Sequence, residues 1–125
     1  MIAAWEAEIA ELEAENLRLE KLKSDLQGTV IPGYDSPIND TATAAKNIKD
    51  GFTIDGESID KKSIENRKSD LSEIKSTLND KVIPAIDAKI AANNARIAEL
   101  RALIAAELAR IAAEQEAAWY GGRWS

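Results

Sequence analysis

Residues 83–111 decide the fold of this chain, and they read IPAIDAKIAANNARIAELRALIAAELARI. Isoleucine recurs every seven residues in this stretch, at Ile83, Ile90, Ile97, Ile104 and Ile111. This spacing places all five side chains along one stripe of an α-helix, the seam through which coiled-coil helices pack. A second series with the same spacing lies near the other end of the sequence, at Trp5, Leu12, Leu19 and Leu26. Together the two series predict two long helices that pack against each other.

A middle section rich in helix breakers separates the two series. Residues 28–37 contain two prolines and two glycines, Pro84 stands near the start of the second series, and residues 50–57 contain two Asp-Gly pairs. We therefore expect an all-α fold, a long antiparallel helical hairpin with Pro/Gly breaks near 28–37 and 84 and a turn near 50–57. A single domain would cover residues 1–118, with arms at about 2–49 and 58–118, followed by an aromatic and glycine-rich tail at 119–125.

Local signals suggest where the helices begin and end. Gly28 can adopt the left-handed conformation that closes a helix, and Asp35 or Ser36 can cap a new helix with Pro37 in its first turn. Ser58 offers a cap for the returning helix. The motif Val-Ile-Pro occurs twice, at residues 30–32 and 82–84, and each copy is followed three residues later by an aspartate. We interpret this echo as two prolines placed where paired helices bend together, rather than as a duplicated binding site.

The register of the hairpin follows from simple arithmetic, because facing residues of antiparallel helices have numbers that add to a constant. A constant of 109 pairs the two series member by member: Leu26 with Ile83, Leu19 with Ile90, Leu12 with Ile97 and Trp5 with Ile104. The same constant pairs Asn16 with Asn93 and puts the centre between Ile54 and Asp55, inside the expected turn. Paired asparagines in a seam are typical of a polar layer that fixes register, although they could also form a polar ligand site.

Composition and charge exclude several classes of function. The net charge is −6 and the basic residues are scattered among acidic ones, which disfavours nucleic acid and anionic membrane surfaces as partners. The chain has no Cys and no His, so thiolate metal sites and the usual nucleophilic dyads are excluded. Asp50 and residues 55–57 resemble a fragment of a calcium loop without its regular carboxylate spacing. We expect that the chain is not an enzyme. We also expect it to bind no metal or cofactor and to have no signal peptide and no membrane-spanning segment.

Apolar side chains outside the seam are the candidates for partner binding. They are four leucines and three aromatic residues near the end of the chain: Leu17, Leu22, Leu103, Leu108, Trp119, Tyr120 and Trp124. A two-helix hairpin cannot bury so wide an apolar stripe, so these residues are either ordinary surface side chains or a second interface. The aromatic residues could anchor a partner or cap the open end of the hairpin.

Three segments carry a resemblance to a known family: residues 21–26 (KLKSDL), the turn at 50–57, and residues 71–84 from Leu-Ser-Glu-Ile to Val-Ile-Pro. With them, the chain resembles the small helical-hairpin accessory proteins of type VII (ESX/WXG-type) secretion that are associated with LXG toxins. At its turn this chain has Phe52 and Gly56, where the family has Trp-x-Gly, and Trp124 stands where the export tail Tyr-x-x-x-Asp/Glu has its acidic residue.

The resemblance implies an adaptor or targeting chaperone that binds the helical N-terminal LXG domain of a toxin. It also implies a protein that is cytoplasmic before export and that could be secreted with its partner. The alternative is a self-associating structural coiled coil, natural or engineered, with no specific ligand.

Overall fold

The computed structural model describes the backbone of residues 1–124 and the side chains of residues 1–120. The first arm consists of α1 (Ile2–Asp25), a π-helical segment (Leu26–Val30), a 3₁₀ turn (Pro32–Tyr34) and α2 (Asp35–Asn47). Two short strands, β1 (Phe52–Ile54) and β2 (Glu57–Ile59), form the connection. The second arm consists of α3 (Lys61–Thr77), a second π-helical segment (Leu78–Val82) and α4 (Ile83–Trp124). The fold is the all-α helical hairpin that the heptad series predict.

The contacts divide the chain into two compact units. Unit 1 contains residues 1–19 and the residues from Ala88 onward, and unit 2 contains Glu20–Asp87. In unit 1, Leu100 is completely buried and Ile97 nearly so. Asn93 donates a hydrogen bond to Asn16 across the seam at 2.9 Å, which gives this pair the predicted register. Most of the remaining seam residues of unit 1 are only half-buried (Trp5, Ile9, Leu12, Leu19, Ile90, Ile104 and Ile111), because two helices alone leave a seam open on both sides.

Unit 2 has a small apolar core drawn from both arms. Its buried members are Leu26, Ile31, Ala45, Ile83 and Ile86. The strands β1 and β2 form a β-hairpin with a two-residue turn. Asp55 (φ 50°) and Gly56 (φ 82°) in this turn both have positive φ angles, as a type I′ turn requires. Ile54 pairs with Glu57, so the hairpin is centred between Asp55 and Gly56, one residue beyond the predicted centre.

The predicted break at residues 28–37 takes the form of a π-helical segment and a 3₁₀ turn, through which helical backbone continues between α1 and α2. Gly28 lies inside the first π-helical segment instead of ending a helix, and Ile31 also has helical angles. The wide π turn accommodates Pro32, whose ring lacks an N–H and would clash with the carbonyl four residues earlier in an α-helix. Asp35 and Ser36 are therefore inside α2 rather than capping it, and Pro37 is its third residue.

The ends of the arms also differ from the expected ones. The returning helix begins at Lys61 rather than at residue 58, since Ser58 belongs to β2. Asp60 is its cap: its carboxylate accepts a hydrogen bond from the Ser63 N–H at 2.8 Å, and its own N–H donates to Ser63 Oγ at 2.9 Å. The first arm ends at Asn47, and α4 continues past Ala118 to Trp124, so Trp119 and Tyr120 are helical.

Candidate partner-binding surface

The structure places the predicted partner-binding residues on the surface. Leu17, Leu22, Leu103, Leu108, Trp119 and Tyr120 are all exposed. The side chain of Trp124 lies outside the described residues. Leu22 belongs to unit 2 and the others to unit 1, where Leu17 is on α1 and the rest are on α4. Leu17 lines a shallow depression beside Ile97 and Arg101, whereas Leu103 and Leu108 lie on opposite flanks of the α4 seam.

The polar pair in the seam of unit 1 is fully satisfied within the hairpin. Asn93 donates to Asn16 and, at 3.2 Å, to a carboxylate oxygen of Glu15, while Asn16 donates to Asn94 at 2.9 Å. Among the described residues, every buried side-chain nitrogen or oxygen has a hydrogen-bond partner. This closed network leaves no buried polar atom for a ligand and favours the structural interpretation of the asparagines. Their role in fixing register stays a prediction.

Ion pairs between the arms of unit 1 follow the same register. Arg96 donates to Glu8 at 2.7 Å, Arg101 donates to Glu13 at 2.9 Å, and Lys89 lies 3.7 Å from Glu15. The hydrogen bond from Arg96 to Glu8 raises the pKa of the Arg96 guanidinium above its usual value. All these groups are partly exposed, so each pair contributes little to stability on its own.

The most distinctive feature of unit 1 is that α4 is longer than the helix it packs against. The register of the asparagine pair places Ile2, the first residue of α1, opposite Glu107. The amino group of Met1 is close enough to help lower the pKa of Glu107, which agrees with this alignment. Residues 108–120 of α4 therefore extend beyond the start of α1, and we call them the α4 extension. Among the described residues of the first arm, Met1 alone is in register with any of them, opposite Leu108.

The α4 extension continues the seam with both apolar and acidic residues. Ile111 is next in the isoleucine series and is half-buried, while Leu108 beside it is 53% exposed. Glu114 takes the seam position after Ile111, and Ala118 takes the one after that. Trp119 and Tyr120 follow, with their rings in an edge-to-face contact at 4.8 Å. An apolar stripe interrupted by a carboxylate suits a partner helix that offers apolar side chains and a cation.

The one arginine in this extension is engaged within its own helix. Arg110 Nε donates to Glu107 at 3.0 Å, and another guanidinium nitrogen donates to Glu114 at 2.6 Å. The hydrogen bond from Arg110 is the main cause that lowers the pKa of Glu107, and the same bond is the main cause that raises the pKa of Arg110. The lowered pKa keeps the Glu107 carboxylate ionised at neutral pH. The single positive charge is shared between two negative ones, which leaves the extension net acidic.

The tip of unit 2 carries the two residues of the predicted turn motif. Phe52 is in β1 with its side chain exposed, and Gly56 occupies the second position of the type I′ turn. Several exposed apolar side chains are missing from the sequence-based set: Met1, Val30, Ile54 and Ile74. The sequence did contain a signal for Ile74. The two Val-Ile-Pro motifs are 52 residues apart, and the same offset aligns Ile74 with Leu22.

Neither a metal site nor a membrane span is apparent in the described part of the chain. Within it, no group of three or more His, Cys, Asp or Glu side chains is arranged to hold a metal ion. Its helices include none with both the length and the apolar character needed to cross a bilayer. The chain matches no protein-family model, no curated protein and no solved structure at a significant level.

Proposed function

We propose that the chain is a helical-hairpin adaptor that binds the helical N-terminal domain of an LXG-type toxin and accompanies it to the type VII secretion system. The resemblance of residues 21–26, 50–57 and 71–84 to accessory proteins of that system supports the class of partner. The hairpin architecture supports the mode of binding, in which one helical hairpin packs laterally against another. In this proposal the adaptor is cytoplasmic before export.

The α4 extension is the observation that carries the proposal. It presents a helix with a coiled-coil seam whose facing positions are left open by the described residues of the first arm. A partner helix antiparallel to α4 would cover Ile111 and Ala118 in the same way that α1 covers the earlier seam residues of α4. Burying an isoleucine in such a seam stabilises a complex by about 2 kcal/mol, which corresponds to more than tenfold in affinity.

Glu114 and the neighbouring acidic residues define what that partner helix offers. A lysine or arginine opposite Glu114 would pair with its carboxylate, which is 68% exposed in the isolated chain. An acidic partner helix would be repelled by the net negative charge of the extension. We therefore expect the binding helix of the toxin domain to carry apolar residues at heptad spacing together with at least one basic residue.

Co-purification of the chain with the N-terminal domain of the toxin tests the proposal. The variant Ile111→Glu places a charge in the seam of the α4 extension, and we expect it to weaken binding at least tenfold. The matched control is Ala113→Glu, which adds the same charge to an exposed position on the opposite side of the same helix. Because neither position faces α1 in the hairpin register, circular dichroism should show equal helicity for both variants.

Two results would contradict the proposal. Failure of the wild-type chain to co-purify with the toxin domain would rule out that domain as the partner. Equal losses of affinity in the Ile111 and Ala113 variants would show that the α4 extension is not the binding surface.

A further inference from the structure

Unit 2 contains two copies of one fourteen-residue segment. Residues 22–35 read LKSDLQGTVIPGYD and residues 74–87 read IKSTLNDKVIPAID, so seven of the fourteen positions are identical. The Val-Ile-Pro echo is thus the centre of a longer repeat that also shares a lysine, a serine and a leucine before the proline and an aspartate after it. A correspondence over this length is more than two prolines at equivalent bends.

The two copies have the same unusual backbone. In each, a π-helical segment begins at the shared leucine and ends at the shared valine, at Leu26–Val30 in the first copy and Leu78–Val82 in the second. In each, the isoleucine before the proline donates its N–H to the carbonyl of that leucine five residues earlier, from Ile31 to Leu26 and from Ile83 to Leu78. Both of these isoleucines are buried.

The copies also exchange ion pairs across the hairpin. Lys23 of the first copy contacts Asp87 of the second at 2.7 Å, and Lys75 of the second contacts Asp35 of the first. Each lysine and each aspartate occupies the same position within its copy. A local two-fold axis between antiparallel copies produces this reciprocal arrangement, in which i contacts j and j contacts i.

The apolar seam steps differently at these two places. Elsewhere it advances by three, four or seven residues, but it advances by five from Leu26 to Ile31 and again by five from Leu78 to Ile83. A π turn holds one residue more than an α turn, and one extra residue rotates the following helix face by about 100°. A single extra residue would therefore turn the seam of one arm away from the other. The ion pairs Lys23–Asp87 and Lys75–Asp35 flank the two π-helical segments, and the residue numbers of each pair add to 110, so the extra residue in one arm is matched by the extra residue in the other.

We propose that the two segments are copies of one element paired about a local two-fold axis, and that their two extra residues act together to keep the seam in phase. Each extra residue accommodates one proline, and each cancels the rotation that the other would cause. This inference is independent of the proposed function, since it concerns only contacts inside unit 2.

Deletions of one residue test the pairing. Thr29 and Lys81 are exposed, lie in the two π-helical segments and occupy equivalent positions of the repeat. Deleting either one alone should misalign the seam and lower the midpoint of thermal unfolding by about 10 °C or more, as expected for a loss of some 2 kcal/mol. Deleting both should restore most of that loss, because the arms come back into phase on each side.

A matched control removes two residues without restoring phase. Deletion of Thr29 together with Arg67, an exposed residue of α3, shortens the two arms equally but leaves the stretch between those sites misaligned. We expect this control to be as unstable as the worse single deletion. Should a single deletion fail to fold, a folded double deletion still supports the pairing. A Thr29/Lys81 deletion that is no more stable than the single deletions or the control would overturn it.

Discussion

The asparagine pair in the seam of unit 1 is the most telling contact at the scale of single residues. Asn16 and Asn93 are about as buried as Ile97, one turn after Asn93, yet their amides contact each other at 2.9 Å. A buried amide gains less from burial than an isoleucine does, but it gains its hydrogen bond only in one alignment of the helices. The pair therefore favours alignment at some cost in stability.

Replacing both asparagines by isoleucine should raise the midpoint of thermal unfolding and loosen the choice of register or oligomeric state. Thermal unfolding followed by circular dichroism measures the first effect, and light scattering measures the second. Asn16→Ile alone is the control, because it leaves the Asn93 amide without its main partner and should destabilise the chain by about 1–3 kcal/mol. An unchanged midpoint together with an unchanged distribution of oligomers would contradict the role in register.

The start of α3 shows how neighbouring elements decide which of several suitable residues acts as a cap. Ser58 and Asp60 are both good N-cap residues, and the sequence alone favoured the first. Ser58 is paired with Thr53 in the tip hairpin, so the helix cannot begin until the strand has ended. Asp60 has the extended backbone angles of a cap and forms a reciprocal capping box with Ser63.

Asp60→Ala should lower the free energy of unfolding by about 1 kcal/mol and fray the first turn of α3. Hydrogen exchange at the amides of residues 61–64 reports the fraying directly. Ser58→Ala removes the residue that the sequence favoured and should leave those amides as protected as in the wild type. Equal deprotection by the two substitutions would mean that Asp60 does not cap the helix.

The elements differ in how far the sequence could predict them. Heptad spacing was enough for both arms, and the two Asp-Gly pairs were enough for the turn. The π-helical segments were not predictable from proline and glycine content, because those residues usually end a helix. In this chain the helical backbone continues through both segments. The five-residue steps at Leu26–Ile31 and Leu78–Ile83 were the available signal.

At the scale of the whole molecule, two sets of apolar side chains are incompletely covered, the half-buried seam and the exposed leucines. The heptad positions put Leu17, Leu22, Leu103 and Leu108 outside the seam, with Leu103 and Leu108 on its two flanks, and all four side chains are exposed in the structure. A surface divided in this way suits helices that approach from more than one side. That is compatible with the proposed adaptor and with the alternative of a self-associating coiled coil.

Light scattering of the purified chain over a hundredfold range of concentration distinguishes these two functions. As an adaptor without its partner, the chain should be a monomer that is weakly helical or prone to aggregate, because its seam is only partly covered. Addition of the toxin domain should then produce a defined complex. A homo-oligomer of constant size across the whole range would instead favour the structural coiled coil.

The two-residue turn at Asp55–Gly56 has a practical consequence for engineering. Both residues are exposed, and they are the place where the chain reverses direction between β1 and β2. Extra residues inserted between them would lengthen a loop without sliding either arm along the other, whereas one added residue within an arm would. A fluorescent label or an affinity tag grafted at this point should leave the hairpin assembled.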